Sequence, residues 1–116
     1  MSAGRVAVRL PSTIKAAFEA YAHALGLHAS ELAKLLIARE RKLSRLVILS
    51  ESERAGYQNR PSGALPKITA YLPSEMQAKE FAAYAKRCGL SSNGAGAWLL
   101  ERELREKWLE KALAAR

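Results

Sequence analysis

With 116 residues the chain has room for one domain, or for one pair of interlocked half-domains. Nineteen Lys and Arg stand against eleven acids, all of them Glu, and the net charge of +8 is split evenly between residues 1–58 and 59–116. An even split excludes a basic tail as the source of the charge and calls for an anionic partner, nucleic acid before membrane surface.

One cysteine, Cys88, excludes an internal disulfide and fits a reducing compartment. No leader-like segment precedes Arg5, and no apolar run approaches the ~18 residues that span a bilayer. The expectation is a cytoplasmic protein with no membrane partner.

Residues 5–10 alternate, with Arg5, Ala7 and Arg9 on one face and Val6, Val8 and Leu10 on the other. Period two over such a run predicts a half-buried strand. Pro11 stops the strand and suits the first turn of a helix, with Ser12 helping to cap it. Ile14, Phe18, Tyr21 and Leu25 then form one apolar stripe, and Gly26 ends the helix. A second helix is predicted from near His28 to about Leu46, carrying Leu32, Leu35, Leu36 and Leu43. Residues 50–55 suggest one more turn, with Ser50 and Glu53 at capping-box spacing and Gly56 closing it. Residues 57–66 are turn-rich.

The plan then repeats. Lys67, Thr69 and Tyr71 take one strand face, and Ile68, Ala70 and Leu72 the other. Met76, Phe81, Tyr84 and Cys88 follow in a helix, and a last helix is predicted from Ser92 to the terminus, longer than its counterpart. Glu101/Arg105 and Glu103/Lys107 stand four apart and are expected to support its exposed face. Leu10/Leu72, Pro11/Pro73 and Ser12/Ser74 match at an offset of 62. Phe18/Phe81, Tyr21/Tyr84, Gly26/Gly89, Leu36/Leu99, Arg39/Arg102 and Glu40/Glu103 match at 63. Pro, Gly and aromatic matches at a fixed offset signal a true internal repeat. The extra residue predicts a π-type bulge between Gln77 and Phe81, or a helix start slipped by one residue.

Each unit has roughly 40 residues, near the size at which a chain rarely folds alone. The division is therefore a first unit at 1–49, a linker at 50–66 and a second unit at 67–116, the two sharing one core. The fold class is mainly α with a two-stranded antiparallel ribbon.

Half-basic strand, Leu-Pro, helix, Gly turn, helix, given twice over residues 5–46 and 67–109, resembles the ribbon-helix-helix DNA-binding family that includes Arc and MetJ. The resemblance implies a pseudodimer in one chain that inserts its ribbon into the major groove of double-stranded DNA. Its base-reading residues would be Arg5, Ala7 and Arg9 with Lys67, Thr69 and Tyr71. Arg suits guanine, Thr suits base edges and Ala suits a thymine methyl. Phosphate anchors would be backbone N–H groups at His28, Ala29 and Ser30 and at Ser91, Ser92 and Asn93, where a helix start favours anions. His28 replaces the usual hydroxyl residue, and Gly94 stands where the family carries Glu. Gly94 and Gly96 are expected to loosen that turn.

The tandem arrangement is similar to TraY-like accessory proteins of conjugative plasmid transfer, which implies a relaxase or another relaxosome protein as partner and leaves open further self-association on DNA. A transcriptional repressor is the other role within this class. The rival reading is an antitoxin-type interaction module that docks a partner with a long last helix. RNA binding lacks the exposed aromatic strand pattern. His23 and His28 lack convergent ligands for a metal, no Gly-rich phosphate loop is present and nothing positions a catalytic triad. The expectation is a protein without cofactor, metal or enzymatic activity. Trp98 and Trp108 are expected to be packing anchors.

Overall fold

The computed structural model describes residues 4–58 and 65–115. These are mainly helical. In chain order they form β1 (Gly4–Arg9), α1 (Ser12–Ala24), α2 (Ala29–Leu43), a 3-10 turn (Arg45–Ile48), α3 (Glu51–Gln58), β2 (Lys67–Leu72), α4 (Glu75–Arg87), α5 (Ser92–Glu106) and α6 (Trp108–Ala114). No helix among them is long and apolar enough to cross a membrane.

The two strands pair antiparallel, with Arg5 opposite Tyr71, Ala7 opposite Thr69 and Arg9 opposite Lys67. Alternation sends Val6, Val8, Ile68, Ala70 and Leu72 inward, where all are buried. β1 rests on α5 and α4, and β2 rests chiefly on α2. Each strand thus covers helices from the other half of the sequence, and the core is continuous through both halves. The register has its own centre. Ala7 and Thr69 are matched residues of the repeat and face one another, so the pairing is two-fold symmetric about them.

The extra residue of the second half lies between strand and helix. α1 begins at Ser12 and α4 at Glu75, and both are regular α-helices of 13 residues. The helix start has slipped by one residue, and no π-type bulge forms. Met76 consequently leaves the apolar stripe and is 71% exposed. The slip also changes the caps. Ser74 lies just outside α4 and accepts from the Gln77 N–H at 3.2 Å, whereas Ser12 is already helical and Pro11 takes the cap position without a side-chain bond. Gly26 and Gly89 close α1 and α4 with φ near +80°, a conformation that favours glycine (φ 81 and 79).

The predicted long helices are each broken. α2 stops at Leu43 and α5 at Glu106, each 15 residues long, and Ser44 and Lys107 follow in the left-handed conformation. No glycine stands at either break. A buried carboxylate holds each one. Glu40 accepts from the Leu46 N–H at 2.8 Å and the Tyr84 hydroxyl at 2.6 Å. Glu103 accepts from the Leu109 N–H at 2.8 Å and the Tyr21 hydroxyl at 2.7 Å. The two arrangements match at the repeat offset, and each ties a turn to a helix of the opposite half. The chain after α5 is therefore α6, a separate short helix. Glu103 does not pair with Lys107 on an exposed face; α5 carries an i,i+4 pair at Arg102–Glu106, 2.9 Å apart. Glu101 bonds the Tyr57 hydroxyl at 3.0 Å. Leu35 and Leu43, assigned to the apolar face of α2, are 42% and 45% exposed, and Ala33, Ile37 and Glu40 are buried instead.

Burial, then hydrogen bonding to the paired carboxylate, raises the phenol pKa of both Tyr21 and Tyr84. A raised folded-state pKa favours the protonated phenol in the folded protein, so this contribution is complete below the unfolded value near 10 and is lost as pH rises beyond it. Urea unfolding between pH 9 and 11, chosen to bracket a free phenol's pKa of about 10, should show stability falling more steeply for the native chain than for a Tyr21→Phe/Tyr84→Phe variant.

Residues 50–58 are more ordered than a linker. Ser50 accepts from the Glu53 N–H at 3.2 Å, and α3 continues through Gly56 to Gln58. Of the rest of the expected linker, residues 59–64 lie outside the described residues, and Leu65 and Pro66 lead into β2. α3 packs on α5, which explains the glycines there. A Cβ at Gly94 would collide with the Tyr57 carbonyl oxygen, and one at Gly96 with a methyl of Val8. These glycines do not loosen the turn; they admit α3 and β1 against a buried helix. Gly94→Ala should destabilise the protein by about 1–3 kcal/mol through overpacking. Helix propensity alone would favour Ala by about 1 kcal/mol, so a net loss in chemical denaturation isolates the contact.

Candidate nucleic-acid interface

The ribbon collects the six predicted side chains on one face. Arg5, Ala7, Lys67 and Tyr71 are exposed, and Arg9 and Thr69 are half-buried. Neither strand carries a carboxylate. The ends of the face differ in chemistry. At one end the Arg5 guanidinium lies 5.9 Å from the Tyr71 ring centre, within reach of a cation–π contact. At the other end Arg9 stands opposite Lys67, two cations side by side.

Arg9 is held more firmly than the sequence suggested. Its Nη1 donates to the Leu65 carbonyl at 2.7 Å, and its backbone N–H donates to Asn93 Oδ1 at 2.7 Å. The first bond fixes the guanidinium. The second joins the start of α5 to the ribbon, so Asn93 contributes a side-chain tether in addition to its backbone position.

The predicted anchor residues do lie at helix starts. His28 is the residue before α2, and its N–H donates to Glu31 Oε1 at 2.8 Å. Ser91 precedes α5 and accepts from the Gly94 N–H at 3.0 Å. The first N–H groups of a helix have no intrahelical acceptor, which leaves those of Ala29, Ser30, Ser92 and Asn93 facing outward from their helix ends. They carry the positive end of the helix dipole.

Several other cations are committed to structure. Arg39 stacks 4.2 Å from the Trp108 ring centre, and burial followed by repulsion from Arg45 lowers its pKa. Arg45 and Arg102 flank the Trp98 ring at 5.1 and 5.6 Å and bond Glu106 at 2.8 and 2.9 Å. Burial alone would raise the Glu106 pKa, but the bonds from these two arginines hold it below the usual carboxylate range. Trp98 is buried and Trp108 half-buried, both as packing groups. Cys88, the residue that follows α4, is buried. Among the described residues no group of three His, Cys, Asp or Glu side chains converges as a metal site. No family model, curated protein or solved structure matches the chain.

Proposed function

We propose that the chain is a tandem ribbon-helix-helix protein that binds double-stranded DNA by laying its ribbon in the major groove. The carrying observation is the acid-free outer face of β1 and β2, with Arg5, Arg9 and Lys67 around a pseudo-two-fold centre at Ala7 and Thr69. A two-stranded ribbon fits the major groove, where Arg and Lys recognise guanine, Thr reaches base edges and Ala accommodates a thymine methyl. The N–H groups at the starts of α2 and α5 would hold phosphates on either side. A role in plasmid transfer, with a relaxase as neighbour, and a role as repressor both use this same contact.

Fluorescence anisotropy with labelled duplex at low and high salt tests the reading. Affinity should fall steeply with salt, because phosphate neutralisation releases counterions. Arg5→Ala should weaken binding to a preferred site by about 1–3 kcal/mol. Lys111→Ala, in α6, should leave it unchanged. Equal loss in both variants would remove the ribbon from the interface.

A further inference from the structure

We infer a second binding surface, for an acidic amphipathic segment of a partner protein, in the groove between the 3-10 turn, α3 and the end of α4. The groove encloses about 670 Å³ and is lined by Val47, Arg54, Gln58, Tyr84 and Arg87 among others, with no carboxylate. Neither Arg54 nor Arg87 has an ion-pair partner among the described residues. Arg54 donates one Nη2 bond to the Leu49 carbonyl, and its buried Nε has no acceptor. Beside these guanidiniums stands an aliphatic side chain with no core role, Val47 at 58% exposure; its neighbour Ile48, at 82% exposure, lines a separate groove with Arg45, Glu53 and Glu106.

The internal repeat separates this surface from what the fold requires. The turn after α2 and the turn after α5 are held alike, through Glu40 with Leu46 and Glu103 with Leu109. At the positions matching Val47 and Ile48 the second half carries Glu110 and Lys111, which suit water. The match of Arg87 is Ala24. The fold therefore tolerates charge where Val47 and Ile48 stand, and the groove is an addition to one side. An aliphatic group next to unpaired guanidiniums fits a segment that offers carboxylates and aliphatic side chains together. A nucleic acid would satisfy the arginines but leave Val47 in water. The groove adjoins the C-terminal end of α2, about 22 Å along that 15-residue helix from His28–Ser30, and no ribbon residue lines it; its far edge, Cys88 and Gly89, stands two residues before Ser91 at the start of α5. The inference stands independently of DNA binding.

The test is selection of short random peptides displayed on phage against the immobilised full chain, followed by anisotropy of the recovered peptides. Recovered sequences should combine Asp or Glu with Leu, Ile or Val. Their affinity should fall about tenfold or more in Val47→Glu/Ile48→Lys, which installs the residues of the second half, and again in Arg87→Glu, with circular dichroism and melting unchanged. Recovery of sequences without acids, or acidic peptides whose affinity ignores these changes, would overturn it. Sedimentation of the native chain and the double variant covers the remaining occupant. Self-association abolished by the double change would assign the groove to a second copy and overturn the peptide reading.

Discussion

Residues 1–56 expressed alone should fail to form a folded monomer. The buried face of β1 rests on α4 and α5, both missing from that fragment. Val6, Val8 and Leu10 would lose their cover, and each such side chain contributes about 1.5–3 kcal/mol when fully buried. Three of them approach the whole 5–15 kcal/mol that typically separates a folded domain from its unfolded chain. Glu40 would also lose Tyr84. The fragment has one remedy, which is to pair with a second copy so that Ala7 faces Ala7. Sedimentation with far-ultraviolet circular dichroism should therefore show either an unfolded chain or a concentration-dependent dimer. A helical monomer at low concentration would show that the halves do not share a core.

The second large effect concerns Glu40 and Glu103. Replacing either with Ala strands a backbone N–H and a tyrosine hydroxyl in a buried site. A buried donor left unpaired costs about 1–3 kcal/mol, so two of them should lower stability by roughly 3 kcal/mol or more. Arg45, 3.6 Å from Glu40, keeps its 2.8 Å ion pair with Glu106 in that variant, so it adds little to the penalty. Tyr84→Phe removes one donor and leaves the Leu46 bond intact, so it should cost only about 1 kcal/mol. Chemical denaturation of the three variants separates these sizes. Equal, small losses from Glu40→Ala and Tyr84→Phe would mean that the carboxylate does not hold the turn.

The strands and their facing residues were legible because period-two alternation is a local signal. The extra residue ahead of Phe81 was legible too, since the Met76–Phe81 step is one residue too long for a single stripe, but the choice between a bulge and a slipped start was not. The breaks at Ser44 and Lys107 were not. Neither is a glycine, and what permits them is a buried acid supported by a tyrosine from the distant half. Glu103 read as a surface residue because acids on a basic helix usually are. The matched pairs Tyr21/Tyr84 and Glu40/Glu103 were the available clue, since a repeated acid and phenol at a common offset suggest a shared bond. α3 was underestimated because its stability comes from Tyr57 and Glu53 meeting α5, a tertiary contact that propensity does not encode. In the candidate interface, the residue types on the ribbon were readable. The fixing of Arg9 by Leu65 and Asn93 was not, because both partners come from outside its strand.

The ribbon is two-fold in backbone pairing but not in side chains. Arg5 matches Lys67 in the repeat, and Arg9 matches Tyr71. A guanidinium fork and an ammonium make different base contacts, and a phenol makes neither. A chain that reads DNA with this ribbon should therefore recognise a short non-palindromic element in one direction. Selection of bound duplexes from a random pool, followed by sequencing, measures this directly for the native chain and for Arg5→Ala. The expected result is an asymmetric element, alone or as direct repeats, with base preference lost at one position in the variant. Perfect palindromes centred on the bound ribbon, or an element unchanged by Arg5→Ala, would contradict the account.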